Sequence, residues 1–197
     1  NQKPSTITET AGGIEFQLAD TGFWQVHKNA AETLFNSVSE MIDENLLDPR
    51  ANNHDLFGGV GLLASALLKK DTEAKIISVE SDETAVDFAS SNLSFAPHAR
   101  SVESKVDDYL RELTENNAKL TGATVIMDPP RVGAGRDVMQ NLTSMRPAQI
   151  IYVACDPVAL ARDVEFAMQA GYSLQEIKGF DLFPNTHHFE AVARLTL

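Results

Sequence analysis

The stretch Asp55-Leu56-Phe57-Gly58-Gly59-Val60-Gly61-Leu62-Leu63-Ala64 decides the fold of this 197-residue chain. From Gly59 to Ala64 it reads G-x-G-x-x-A, directly after a strand expected near His54–Phe57 and opening a helix expected over 61–70. Glycine permits the tight turn and lets a ligand approach the backbone closely. Alone the motif is weak, because glycine-rich turns often do no more than close a βα corner. Support comes from Glu80, which ends Ile76-Ile77-Ser78-Val79-Glu80, about 20 residues downstream, where a carboxylate accepts hydrogen bonds from both ribose hydroxyls. The plainer reading of Glu80 is a solvated strand end or a cap for the next helix. The combined pattern points to an adenosine-type cofactor, without choosing between a nicotinamide dinucleotide and S-adenosylmethionine.

Outward from that turn the pattern is regular. Strands are expected near His54–Phe57, Lys75–Glu80, Arg100–Ser104, Thr124–Asp128, Ile150–Val153, Leu174–Phe180 and Ala191–Leu197, alternating with helices at 61–70, 82–95, 106–117, 135–145 and 157–170. Such alternation predicts an α/β fold, a Rossmann-like, doubly wound and mostly parallel seven-stranded sheet. No crossover helix fits between the final two strands, so the last one should run antiparallel. Upstream, residues 1–11 read as polar and loose, and Gly12-Gly13 introduce the alternating segment Ile14-Glu15-Phe16-Gln17-Leu18. Ala30, Leu34, Val38, Met41, Ile42 and Leu46 fall at helical spacing over 29–47. We therefore divide the chain into an N-terminal extension, 1–49, and a cofactor-binding domain, 50–197.

In open α/β sheets ligands sit beyond the carboxyl ends of the strands. That rule places Asp55, Phe57, Glu80, Asp128 and Cys155 on one rim. Glu190 joins them because an antiparallel last strand begins where its neighbours end. Cys155 is the only cysteine, which excludes an internal disulfide and any cysteine-only metal site, and no metal is expected. It sits where an apolar strand meets Asp156-Pro157, a good N-cap and first helical residue. The helix N-terminus favours a thiolate there and Asp156 opposes it.

The composition is that of an ordinary globular protein, 43% hydrophobic and 22% charged. No apolar run reaches membrane-spanning length and the start lacks a signal-peptide pattern, so a cytoplasmic protein that contacts no membrane is expected. A formal net charge of −12 is the wrong sign for wrapping nucleic acid through phosphate contacts. The chain opens on Asn1-Gln2-Lys3-Pro4 without an initiator methionine, so basic binding surface is expected outside it.

Four further segments carry a specific resemblance: Phe23-Trp24-Gln25-Val26, Asp128-Pro129-Pro130-Arg131-Val132-Gly133, Cys155-Asp156-Pro157 with Arg162-Asp163, and Asp181-Leu182-Phe183-Pro184-Asn185-Thr186-His187-His188-Phe189-Glu190. In order and approximate spacing the chain resembles the catalytic domain of S-adenosylmethionine-dependent RNA (uracil-5-)-methyltransferases, which make 5-methyluridine in tRNA or rRNA and have the class I methyltransferase fold. The cysteine segment and the final segment are the specific parts.

The resemblance implies that Cys155 is the nucleophile for carbon 6 of uracil and that Glu190 is the base removing the carbon 5 proton. It also implies that Gln25, Phe57, Gly59, Gly61, Glu80 and Asp128 hold S-adenosylmethionine or the target base. RNA would be the substrate, gripped by an N-terminal segment that this chain lacks. Plainer readings stand beside these: Gln25 capping the long helix, Asp128 bracing the Pro129-Pro130 turn, Glu190 an exposed strand-start charge, and His187 and His188 scaffold. Arg131 and Arg162 read as phosphate contacts or thiolate stabilisers, with Arg162 open to capture by Asp163. The chain departs from the family at Phe57 (usually tyrosine), Gly58 (often cysteine), Ala154 (serine) and His27 (asparagine), and has Lys105 and Asp107 where a polar group meets adenine. Two other functions compete: methyl transfer to a different acceptor, which needs neither Cys155 nor Glu190, and a non-catalytic RNA-binding or assembly module.

Overall fold

The computed structural model describes residues 5–182, 185 and 189–197. A seven-stranded sheet carries the fold in the order β5-β4-β3-β6-β7-β9-β8, where β3 is Asn53–Leu56, β4 Ile76–Glu80, β5 Ala99–Glu103, β6 Thr124–Met127, β7 Gln149–Ala154, β8 Ser173–Phe180 and β9 Glu190–Thr196. The strands β3 to β7 pair in parallel, and β9 runs antiparallel between β7 and β8 as expected. The central strands β3, β6 and β7 are buried along their whole length, the signature of a parallel sheet covered on both faces. One covering layer consists of α4 (Val106–Glu115), α5 (Arg136–Ser144) and α6 (Pro157–Gln169), packed around Leu110, Met139, Leu142 and Tyr152. The other holds α1 (Ala30–Met41) and α2 (Leu62–Leu68), packed around Leu34, Phe35, Leu67 and Ile151. The remaining helix, α3 (Glu83–Asn92), lies beside β2 (Ile14–Ala19), β4 and β5.

Two expectations for the N-terminal region change. Residues 6–11 are not loose: β1 (Thr6–Ala11) forms a hairpin with β2 (Ile14–Ala19) in the register Thr6↔Ala19 to Ala11↔Ile14. Gly12 and Gly13 both have positive φ, +61° and +80°, which a two-residue hairpin turn of matching twist requires. The β-branched residues Thr6, Ile7, Thr8 and Thr10 suit the strand, and their polarity reflects its exposure. The helix expected over 29–47 stops at Met41. Ile42 is extended, and the Asp43 N–H donates to Gln149 Oε1 at the amino end of β7, so a sheet side chain takes over where the helix ends. This contact also fixes the direction of α1. Its C-terminal end lies at the amino edge of the sheet.

Candidate active site

The strand order reverses between β3 and β6, where the Asp128 N–H donates to Leu56 O at 3.2 Å, and ligands of open α/β sheets bind at such a point. Phe57 leaves β3 with φ +61°, and Gly59 and Gly61 follow at +52° and +91°. Beneath this turn Asp55 is fully buried and accepts the Ala64 N–H through Oδ2 at 2.9 Å, filling an open position in the first turn of α2. Asp55 Oδ1 and the Oγ of Ser78, its register partner on β4, are buried without a partner among the described residues. Burial, reinforced by the charges of Asp128 and Glu80, pushes the Asp55 carboxyl up to about 8. Asn92 ties the N-terminal hairpin to the same turn: its Nδ2 donates to Gln17 O at 3.0 Å and Val60 O at 2.9 Å.

Glu80 spans the glycine turn and the start of α3. Its Oε2 accepts the Gly59 N–H at 3.1 Å, and its Oε1 accepts the N–H groups of Ser81 at 2.5 Å and Asp82 at 3.0 Å. The helix cap itself is Asp82, whose carboxylate accepts from the Ala85 N–H. Phe57 and Glu80 open onto a cleft of about 260 Å³ with Ser104, Lys105, Asp107 and Pro130 along its wall. An acidic strand-end side chain, backbone turns and a phenyl face are the set that an adenosine needs.

A second group occupies the other half of the rim. The antiparallel register pairs Ala154 with Ala191, so the next residues outward, Cys155 and Glu190, stand opposite one another. Glu190 is buried, 5% exposed, which removes its reading as an exposed strand-start charge. Burial raises its carboxyl, with the Arg131 guanidinium pulling the other way. Asp128, half-buried, is pushed up to about 7 by desolvation and the charge of Glu190. Cys155 is half-buried, and its thiol is raised first by desolvation and then by Glu190 and Asp128, while Arg131 lowers it. The opposing charge expected from Asp156 is thus supplied by residues across the rim; Asp156 turns its carboxylate to the Ala159 N–H at 2.8 Å as the N-cap of α6.

The sequence candidates therefore fall into two sets, Phe57, Gly59, Gly61 and Glu80 in one and Asp128, Cys155 and Glu190 in the other. Gln25, half-buried ahead of α1, makes no side-chain hydrogen bond to either set among the described residues. It does not cap α1, whose N-cap is Asn29. Arg162 is captured by Asp163, with its Nε and Nη2 at 2.9 and 2.8 Å from Oδ1. His187 and His188 lie outside the described residues. Sequence reading placed Asp55 on the rim but gave it no role, although an aspartate four residues ahead of a glycine turn was a signal for one, and it left Asn92 and Tyr152 out of the site. Among the described residues no group of three or more His, Cys, Asp or Glu could hold a metal ion, and no helix is long and apolar enough to cross a membrane.

The family model described as tRNA (Uracil-5-)-methyltransferase matches residues 14–196. An RNA methyltransferase of Streptomyces avermitilis, named as uncharacterized, is 38% identical over 192 residues, covering 96% of this chain and 42% of that protein. One of Thermotoga maritima is 33% identical over 191 residues, covering 96% and 41%. This chain thus spans about two fifths of the length of these relatives. Among solved structures, the Pyrococcus abyssi tRNA (uracil-54, C5)-methyltransferase in complex with S-adenosyl-L-homocysteine superimposes with a TM-score of 0.78 at 27% identity, over 97% of this chain and 44% of that one. With a match running from the hairpin to the last strand, the chain belongs to the tRNA (uracil-5-)-methyltransferase family.

Proposed function

We propose that this chain is the catalytic body of an S-adenosylmethionine-dependent enzyme that methylates carbon 5 of a uridine in tRNA or rRNA. The observation that supports the reading is the strand register that sets Cys155 opposite the buried Glu190, with the charges of Glu190 and Asp128 both acting on the thiol. When bound, S-adenosylmethionine supplies an electrophilic methyl group. Glu80 would accept from its ribose, Phe57 would lie against the adenosine, and the Gly59–Gly61 turn would let it approach the backbone. The cleft volume and its lining by Phe57, Glu80, Ser104 and Asp107 fit such an occupant.

Carbon 5 of uracil is a poor nucleophile, and adding a thiolate at carbon 6 makes it a good one. Cys155 Sγ forms the bond to carbon 6, and the C5–C6 π electrons move onto carbon 5 and the carbonyl at carbon 4. After carbon 5 has taken the methyl group, Glu190 removes the carbon 5 proton, the C5–C6 double bond re-forms and Sγ leaves with the electron pair of its bond. A carboxyl held above its ordinary range is a stronger base for that proton. Gln25 and Asp128 would meet the edge of the base, donor and acceptor to an imide. The uridine has to leave its stack to reach the rim.

An acidic body of net charge −12 is poorly suited to grip a phosphate backbone. We assign that grip to the additional length that the relatives possess. The test is incubation with S-adenosylmethionine and RNA containing 5-fluorouridine, whose fluorine cannot leave as a proton. The expected product is a covalent protein–RNA adduct through Cys155. Absence of an adduct on an RNA whose unmodified form is methylated would overturn the mechanism.

A further inference from the structure

Asp163 is fully buried and takes no direct part in the chemistry above, yet its carboxylate accepts five hydrogen bonds. Oδ2 accepts from the Ala134 N–H at 2.7 Å, the Gly135 N–H at 3.2 Å and Tyr152 Oη at 2.6 Å. Oδ1 accepts from Arg162 Nε and Nη2. Arg162 Nη2 also donates to Val132 O at 2.8 Å, and Tyr152 Oη accepts from the Ala134 N–H at 3.1 Å. Three side chains from β7 and α6, the two elements that meet at Cys155, thus grip the backbone of the 131–135 loop at Val132, Ala134 and Gly135. The approach is close enough to dictate sequence. A Cβ on Gly133, which has φ +80°, would stand 2.5 Å from both Arg162 Nη2 and Asp163 Oδ2.

We propose that Asp163, with Arg162 and Tyr152, is a positioning residue that fastens the 131–135 loop to the Cys155 corner and so holds the Arg131 guanidinium within electrostatic reach of Cys155 and Glu190. Asp128 just beyond β6, Glu190 at the start of β9 and Arg131 in the loop act on the thiol, and Arg131 is the cation among them. A buried carboxylate bonded to five donors is a stiff anchor, because any loop movement strands a charge away from water. The consequence for uracil chemistry rests on the function proposed above; the effect on the thiol does not.

The chain has a single cysteine, so alkylation of the protein by iodoacetamide across pH reports Cys155 alone, with neither RNA nor cofactor. Arg131→Gln should raise the midpoint by roughly half a pH unit or more, the scale of a partly exposed charge. Arg162→Gln should raise it by a similar amount, and the double variant no further than Arg131→Gln alone. A through-space effect of Arg162 would instead add to that of Arg131. Asp163→Asn gives an opposed sign. Removing a negative charge by itself lowers the midpoint, whereas releasing Arg131 raises it. Arg162 is partly exposed, so its variants keep the test available if Asp163→Asn does not fold. Three results would overturn the proposal: an unchanged midpoint in Arg131→Gln, an unchanged midpoint in Arg162→Gln, or additive effects in the double variant. A positive thiol result without a 5-fluorouridine adduct would leave the clamp standing and remove the function.

Discussion

The two halves of the rim treat their carboxylates in opposite ways. Glu80, on the cofactor side, accepts backbone N–H groups from Gly59, Ser81 and Asp82 and ties two elements together. Glu190, four strands away in the sheet order on the same edge, is buried and its side chain makes no hydrogen bond among the described residues. Its proton affinity is raised by burial, and it raises that of Asp128 and Cys155 in turn. A binding site gains from donors that are already in place, whereas a base gains from lacking them, because an unsatisfied carboxylate takes up a proton more readily. Under the proposed roles of Glu80 and Glu190, the two needs fall on either side of the switch point.

The contrast predicts different kinds of loss. Cys155→Ala should lower methyl transfer by roughly 10⁴-fold or more while S-adenosylmethionine binding, followed by calorimetry, stays close to that of the parent. Retained activity would move the chain to a different acceptor chemistry. Glu80→Gln should do the reverse, weakening cofactor binding roughly ten- to a hundredfold through the loss of charge-assisted hydrogen bonds. The alkylation midpoint of Cys155 should then stay in place, and a large shift of it would mean that the two halves are not separate.

Asp55 tests the boundary between the halves through pH. Its folded carboxyl is raised to about 8 from an ordinary 3.8, so between those values the folded protein keeps a proton that the unfolded chain has lost. Stability should therefore fall as pH rises from about 4 to about 8. In urea titrations Asp55→Asn should show a shallower decline over that interval, since its amide carries no proton to lose; an identical slope would refute a neutral Asp55. The smallest expected change is in the thiol itself. Removing the Glu190 charge in Glu190→Gln stabilises the thiolate, so the Cys155 midpoint should drop, by less than about one pH unit.

Periodicity and turn residues made most of the sheet legible in the sequence, because Ile150–Val153 and the largely apolar Ile76–Val79 suit a doubly covered sheet, and the short connection before the last strand gave its antiparallel direction. The end of α1 was hidden because Ile42 and Leu46 continue a helical pattern, while the Gln149 side chain that ends it lies far away in sequence. β1 was hidden because an exposed hairpin strand is polar and has no apolar alternation to read. At the site, residue types and order pointed to Cys155, Glu190 and Glu80. The five-bonded Asp163 was seen only as the neighbour of Arg162, since its partners Ala134 and Gly135 contribute backbone, which leaves no mark on side-chain identity.

In the proposed reaction Cys155 forms the bond to the base and Glu190 removes the proton. Its most direct test is intact-mass analysis of Glu190→Gln after incubation with S-adenosylmethionine and an unmodified RNA that the parent protein methylates. The expected result is an accumulating species whose mass is protein plus RNA plus one methyl group, absent when Cys155 is also replaced by Ala. Free 5-methyluridine formed at the parent rate, with no covalent species, would contradict it.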